Sequence, residues 1–243
     1  MHLLSATWQN LHKVGTLSTT CGGGVSKIPF KSFNLGFHVG DNQSHVSKNR
    51  SLLTNLLPKP AVWLNQIHSS NVVIVDEHFD FDELHDADAL YTQLLNQPLA
   101  IMTADCLPIL LVSDDEKEVA AIHGGWRGLE QGIIKNTLEC FSTKCENINA
   151  WLGPAIGPTR FEVGAEVFEL FQKRSPLFIH AFTPQTNGKY LADIYGIART
   201  LLTQQGVKNI TGGDYCTVSQ SDLFFSYRRD GQTGRMASLI WRK

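Results

Sequence analysis

The stretch LAIMTADCLPILLVS (Leu99–Ser113), followed after a short charged connection by VAAIHGGWRG (Val119–Gly128), decides the reading of the fold. Its apolar runs are short, rich in branched residues and bounded by polar or turn-forming ones. Strands are therefore expected at Leu99–Thr103, Ile109–Ser113 and Val119–Ile122. Working outward, similar runs predict strands at Ala61–Leu64, Val72–Val75, Ala89–Thr92 and Met236–Trp241. Helical spacing occurs in fewer places. Val46, Leu52, Leu53 and Leu56 share a face within Ser44–Leu57, and further helices are expected over Leu129–Phe141, Ala165–Gln172 and Asp193–Gln205. Asp193 is the expected N-cap of the last, ahead of Ile194, Ile197, Leu201 and Leu202. Strands that cluster without alternating strictly with helices predict an α+β architecture rather than a doubly wound parallel sheet. Neither a Gly-x-Gly-x-x-Gly motif nor a Walker loop argues otherwise.

The 243 residues carry no repeat, low-complexity tract or charged linker, so residues 1–243 are expected to form a single domain. A hydrophobic content of 42%, a charged content of 18% and a net charge of −2 describe an ordinary globular protein without a strong electrostatic partner. Scattered Lys and Arg balanced by 23 acidic residues argue against nucleic-acid binding. The N-terminal residues lack the basic start and apolar run of a signal peptide, and no stretch is long and apolar enough to span a membrane. A cytoplasmic location, no membrane association and no obligate protein partner are expected. The five cysteines include no Cys-x-x-Cys pair and should be free thiols or metal ligands. Cys140 and Cys145, around the end of a predicted helix, read as small hydrophobes.

Chemistry concentrates where polar residues terminate apolar strands: Asn65-Gln66-Ile67-His68-Ser69, Thr103-Ala104-Asp105-Cys106 and His123-Gly124-Gly125-Trp126-Arg127. A rigid sheet delivers side chains into a cleft at such ends. Two imidazoles and a thiolate are ligands that zinc prefers, and three protein ligands leave a fourth position open for catalysis. The same residues also suit a metal-free Cys106 nucleophile with His123 or His68 as its base. Spacing alone does not separate the two. Nearby carboxylates are Asp86, Asp88 and Asp105. Asp105 is the candidate catalytic partner, placed to orient a ligand histidine, with a turn or strand-cap role as the alternative for it and for Asp86. Two loops suit substrate: Asn34–Asp41, where His38 is the residue of interest, and Ser226–Arg235, where Arg228, Arg229 and Arg235 offer forks for phosphate. Gly153–Pro158 and Phe161–Gly164 read as turns, with Glu162 a minor catalytic candidate.

Together these segments, with Asp86-Ala87-Asp88, resemble the bacterial YfiH family, also called the laccase-domain or polyphenol oxidoreductase family, to which human FAMIN is related. The likeness runs over nearly the whole chain. It implies that His68, Cys106 and His123 form the family's metal triad, and that the fold is a layered α/β/β/α sandwich with mixed sheets, like the catalytic domain of a bacterial cytotoxic factor. It further implies phosphorolysis of adenosine, inosine, guanosine and methylthioadenosine to base and sugar 1-phosphate, together with deamination of adenosine. The implied partners are thus a purine nucleoside and phosphate, and the implied cofactor is Zn2+.

The laccase label can be tested on the residues themselves. A multicopper oxidase needs many histidines in His-x-His pairs and a blue-copper His, Cys and Met set, whereas this chain has nine histidines and no such pair. A four-copper centre is not expected, although one copper ion could enter the triad because copper binds such donors more tightly than zinc. Two other classes compete with the nucleoside reading: a Cys106-dependent hydrolase acting on an amide or a peptidoglycan precursor, and a non-catalytic metal or nucleotide binder.

Overall fold

The computed structural model describes residues 2–8 and 10–243. Among them thirteen strands occur in chain order: β1 (Leu3–Leu4), β2 (Val14–Thr19), β3 (Val72–Val75), β4 (Ala89–Thr92), β5 (Leu99–Thr103), β6 (Leu107–Ser113), β7 (Val119–Gly124), β8 (Ile148–Leu152), β9 (Glu162–Val163), β10 (Phe182–Pro184), β11 (Tyr190–Ala192), β12 (Asn209–Gly212) and β13 (Met236–Arg242). The α-helices are α1 (Gln43–Thr54), α2 (Trp126–Gln131), α3 (Ile133–Leu138), α4 (Ala165–Arg174), α5 (Ile194–Gln204) and α6 (Tyr227–Asp230). A six-stranded mixed sheet runs β12-β8-β6-β7-β4-β3, a four-stranded sheet runs β1-β2-β13-β5, and a small sheet runs β10-β11-β9.

Side-chain alternation along each strand sorts the core into layers. Ala89, Tyr91, Ile109, Leu111, Ala120 and Ile122 project from one face of the six-stranded sheet into a cluster with Ile133, Leu138, Ile197 and Leu201 of the helices. The intervening Leu90, Leu110, Val112 and Ala121 project the other way and meet Leu99, Ile101 and Ile240 of the four-stranded sheet. The far side of that sheet, at Ala100, Ala237 and Leu239, packs on Leu53 of α1. Helix, sheet, sheet, helix is the α/β/β/α sandwich that the resemblance implied, its six-stranded sheet mixed and its four-stranded sheet antiparallel. No helix among the described residues is long and apolar enough to cross a membrane.

Most predicted elements occur within a few residues of their expected bounds, and Asp193 caps α5 by accepting from the Gly196 N–H. Two do not. The predicted strand Ala61–Leu64 is an extended segment with isolated bridges at Val62 and Asn65. Beyond it the Gln66 side chain takes the place of a backbone partner, accepting from Met102 N at 2.7 Å and donating to Met102 O at 2.8 Å. The predicted helix Leu129–Phe141 is divided into α2 and α3 by Gly132, whose φ of 100° lies in the left-handed region that glycine tolerates and a helix does not.

The layering creates one crossing that matters for function. Strand β5 belongs to the four-stranded sheet and β6 to the six-stranded one, so Ala104-Asp105-Cys106 is the step by which the chain passes between sheets. Cys106 therefore lies at the end of the inter-sheet seam, beside the C-terminal end of β7 that carries His123.

Candidate metal centre and its cavity

His68, Cys106 and His123 come together at this seam, with one potential ligand atom from each lying within 4.8 Å of the others. Cys106 Sγ is 3.9 Å from His68 Nε2, and the two imidazole rings meet edge to face with centroids 4.8 Å apart. Zinc–sulfur and zinc–nitrogen bonds of ordinary length at a tetrahedral angle place sulfur and nitrogen about 3.6 Å apart, close to the spacing seen. His123 is buried, Cys106 half-buried and His68 exposed, so the group opens outward on the side of His68.

Asp88 arranges these donors. Its fully buried carboxylate accepts from the backbone N–H groups of Ile67, His68 and Ser69 at 3.3, 3.0 and 2.6 Å, from Ser69 Oγ at 2.8 Å, and from His123 Nδ1 at 2.7 Å. The bond to Nδ1 leaves Nε2 of His123 as the ring's free lone pair. The three N–H bonds hold the loop on which His68 adopts a left-handed φ of 60°. Burial alone would raise the Asp88 pKa, but the hydrogen bonds from His123 and Ser69 outweigh it and hold the carboxyl below its usual range.

The thiol responds to the same neighbours. Burial of Cys106 opposes ionisation, yet the charge and hydrogen bonding of His123, and then of His68, hold its pKa below the ordinary range. Burial likewise opposes a charge on His123, but Cys106 and Asp88 together raise its pKa. The donor set is thus poised to present a thiolate. Gly125 leaves the space beside it open: a Cβ there would lie 3.1 Å from His68 Cδ2 and 3.4 Å from Cys106 Sγ. Sulfur and nitrogen donors, an oriented histidine and clear space together fit a metal ion.

The three residues line a cavity of about 390 Å³ shared with His38, Gln66, Thr103, Tyr227 and Arg235. That volume is within the range of small-molecule sites. Behind this lining, buried Asn34 accepts at Oδ1 from both Gly36 N and Arg235 N at 2.9 Å, which ties the His38 loop to the Arg235 segment. Gly36 permits the approach, since a Cβ there would meet Arg235 Cγ at 2.9 Å.

A model of the family described as multi-copper polyphenol oxidoreductase laccase matches residues 15–243. The chain belongs to that family. It is 48% identical over 246 residues to the purine nucleoside phosphorylase YfiH of Shigella flexneri, covering 98% of each chain. It is 45% identical over 245 residues to a purine nucleoside phosphorylase of Haemophilus influenzae, covering 99% of each. A crystal structure of a Neisseria meningitidis protein superposes with a TM-score of 0.95 at 44% identity, covering 99% of both chains. That of the hypothetical protein YfiH of Bacillus licheniformis gives 0.88 at 32% identity, covering 95% of this chain and 93% of the other. Despite the family's multi-copper description, His68, Cys106 and His123 are the one group of three potential ligands that gathers among the described residues.

Several residues expected at the site have other work in this family member. Asp105 does not orient a ligand histidine. Its carboxylate accepts from Thr217 Oγ1 at 2.5 Å, Ser226 Oγ at 3.0 Å and Arg228 N at 2.6 Å, and so pins the C-terminal loop to the crossing between the sheets. Arg229 is engaged with its neighbour Asp230 and with the carbonyls of Thr217, Val218 and Phe224. Arg228 Nη1 donates to the Glu162 carbonyl at 2.9 Å, away from the cavity lining. Glu162 pairs with Lys189 on the surface. Of the three arginines, Arg235 alone lines the cavity. From the sequence Asp88 is a nearby carboxylate with no role assigned to it, Gly125 the second glycine after His123, where backbone or ligand can approach closely, and Tyr227 only a member of the Ser226–Arg235 loop. Asp88 faces His123 only because β4 and β7 pair antiparallel, with Ala89 opposite Ile122.

Two measurements check this geometry. Asp88→Asn should weaken zinc binding by about 10–100-fold in chelator competition, since it removes the group that orients His123. In the metal-free protein, alkylation of Cys106 should keep its rate to well below the pH of about 8.5 at which an ordinary thiol half-ionises. The rate should then fall as acid protonates the thiolate, whereas an unshifted profile would remove the electrostatic argument.

Proposed function

We propose that this chain is a zinc-dependent purine nucleoside phosphorylase, acting on adenosine, inosine, guanosine and methylthioadenosine, that also deaminates adenosine. The observation that carries this reading is the His68, Cys106 and His123 group opening into a nucleoside-sized cavity that also holds Arg235. The names of its relatives support the phosphorylase part of this reading. His68, Cys106 and His123 would hold the ion, which supplies Lewis acidity at an open coordination position. Zinc suits the assignment because neither reaction is a redox step.

The chain's own residues account for the remainder of the site. In phosphorolysis a phosphate oxygen bonds to C1′ as the bond from C1′ to the base breaks, and the electron pair leaves on the base, which takes up a proton. In deamination water adds at C6 of adenine and ammonia departs. Arg235 is the residue suited to phosphate: Nη1 donates to the Thr233 and Gly234 carbonyls at 3.0 Å, and among the described residues Nε and Nη2 meet no acceptor. His38 shares the cavity, and its pKa is lowered by desolvation and then by the charges of Arg235 and Arg50. A neutral ring can donate with one nitrogen and accept with the other, as a sugar hydroxyl requires. Tyr227 and Gln66 supply further polar walls.

A second reading rests on the depressed thiol: Cys106 as a metal-free nucleophile of a hydrolase. The experiment that separates them follows adenine and inosine formation from adenosine, using protein of known metal content. Adenine should appear only with phosphate present and inosine with or without it. Metal removal should abolish both products, and Cys106→Ala should lower both by more than about 100-fold, beyond the usual effect of losing an outer partner of a ligand. Stripped protein that turns over no purine nucleoside yet hydrolyses an amide substrate through a covalent adduct on Cys106 would instead establish the hydrolase.

A further inference from the structure

Next to the triad cavity is a second one of about 470 Å³, and the two share His38, Tyr227 and Arg235 as a common wall. Its remaining lining is Val39 of the His38 loop together with Gly231, Gln232 and Thr233 of the turn after α6. No carboxylate lines it, and Arg235 forms part of its wall. Two glycines beside it have positive φ, Gly231 in that turn at 67° and Gly40 in the His38 loop at 91°. A Cβ on Gly40 would press on Gln232 Nε2 at 3.2 Å.

Thr233 makes this lobe unusual. The residue is 2% exposed, yet its Oγ1 has no hydrogen-bond partner among the described residues. A buried hydroxyl without a partner is destabilising, and a valine would fill the same volume without that cost. Rotation about χ1 moves the hydroxyl among staggered positions, so the oxygen of this lobe-lining residue is not confined to its unpartnered one. A donor awaiting an acceptor, beside an arginine with two unengaged nitrogens and away from any carboxylate, describes a site for a small oxyanion.

We propose that this lobe binds inorganic phosphate, with Thr233 Oγ1 and Arg235 as its principal donors and the Gln232 amide and His38 ring beside them. The assignment rests on the phosphorylase reading for its role, because a phosphorolytic enzyme must hold two ligands side by side. The triad cavity then takes the nucleoside and the adjoining lobe its co-substrate, and Arg235 lies between them.

The test is phosphate binding by the zinc-loaded protein, measured by calorimetry with inorganic phosphate alone, for wild type, Thr233→Val and Thr233→Ser. Valine should weaken phosphate binding by about tenfold or more, serine should restore most of it, and the melting temperature of Thr233→Val should equal or exceed that of wild type. A lower melting temperature in the valine variant with unchanged phosphate affinity would show the hydroxyl to be structural and overturn the proposal. So would the absence of phosphate binding by the wild type. A parallel titration with adenosine 5′-monophosphate separates the sources of the anion: loss of nucleotide affinity with inorganic phosphate unaffected also overturns it. Failure of the phosphorylase reading is visible separately, as phosphate binding that depends on Thr233 in a protein that releases no base from any purine nucleoside.

Discussion

Deep in the seam between two sheets, the Asp88 carboxylate gathers three successive backbone N–H groups, a serine hydroxyl and an imidazole N–H. A carboxylate without solvent is costly unless its oxygens are fully engaged. Here the donors come from two distant parts of the chain, the His68 loop and the end of β7. Satisfying one buried charge therefore sets the relative position of two imidazoles. Cys106 completes the group because the step from β5 to β6 brings the chain past the same point. The site's geometry follows from the way the sandwich is closed.

A second buried carboxylate performs the corresponding task on the opposite wall. Asp105, in a left-handed backbone conformation at φ 95°, draws Thr217, Ser226 and the start of α6 against the inter-sheet crossing. The turn that follows α6 is then held to the His38 loop through Asn34. Arg235 and Tyr227 thereby face the triad across the cavity. Two neighbouring aspartates, one on each side, thus act through position, and neither lines the cavity itself.

How much of this could be read from the sequence depends on the range of the interaction involved. Strand alternation and helix periodicity are local, so β3 to β7, α1, α4 and α5 were legible near their true bounds. Gly132 was visible as a glycine, but its left-handed conformation depends on how α3 packs, and the division of that helix was missed. The short strands β9 to β12 carry little pattern of their own and form through distant pairing. The triad stood out because His68, Cys106 and His123 each follow an apolar run. Asp88 and Asp105 have similar local surroundings, and only strand pairing shows that the first serves His123 while the second serves the C-terminal loop. Of the three arginines in Ser226–Arg235, sequence gave no means of choosing Arg235, because the others are distinguished by acceptors contributed from Thr217, Val218, Phe224 and Glu162.

The family's description and its relatives' names point to different chemistries, oxidation by several coppers and phosphorolysis of nucleosides. A three-donor group of one sulfur and two nitrogens favours the second, since it offers a single Lewis-acid position rather than a multinuclear redox centre. The most direct measurement is X-ray absorption at the zinc edge on protein loaded with one equivalent of metal. One sulfur at about 2.3 Å and two imidazole nitrogens at about 2.0–2.1 Å are the ligand shell that convergence on Asp88 produces. A shell without sulfur, or with more than one, would contradict the account.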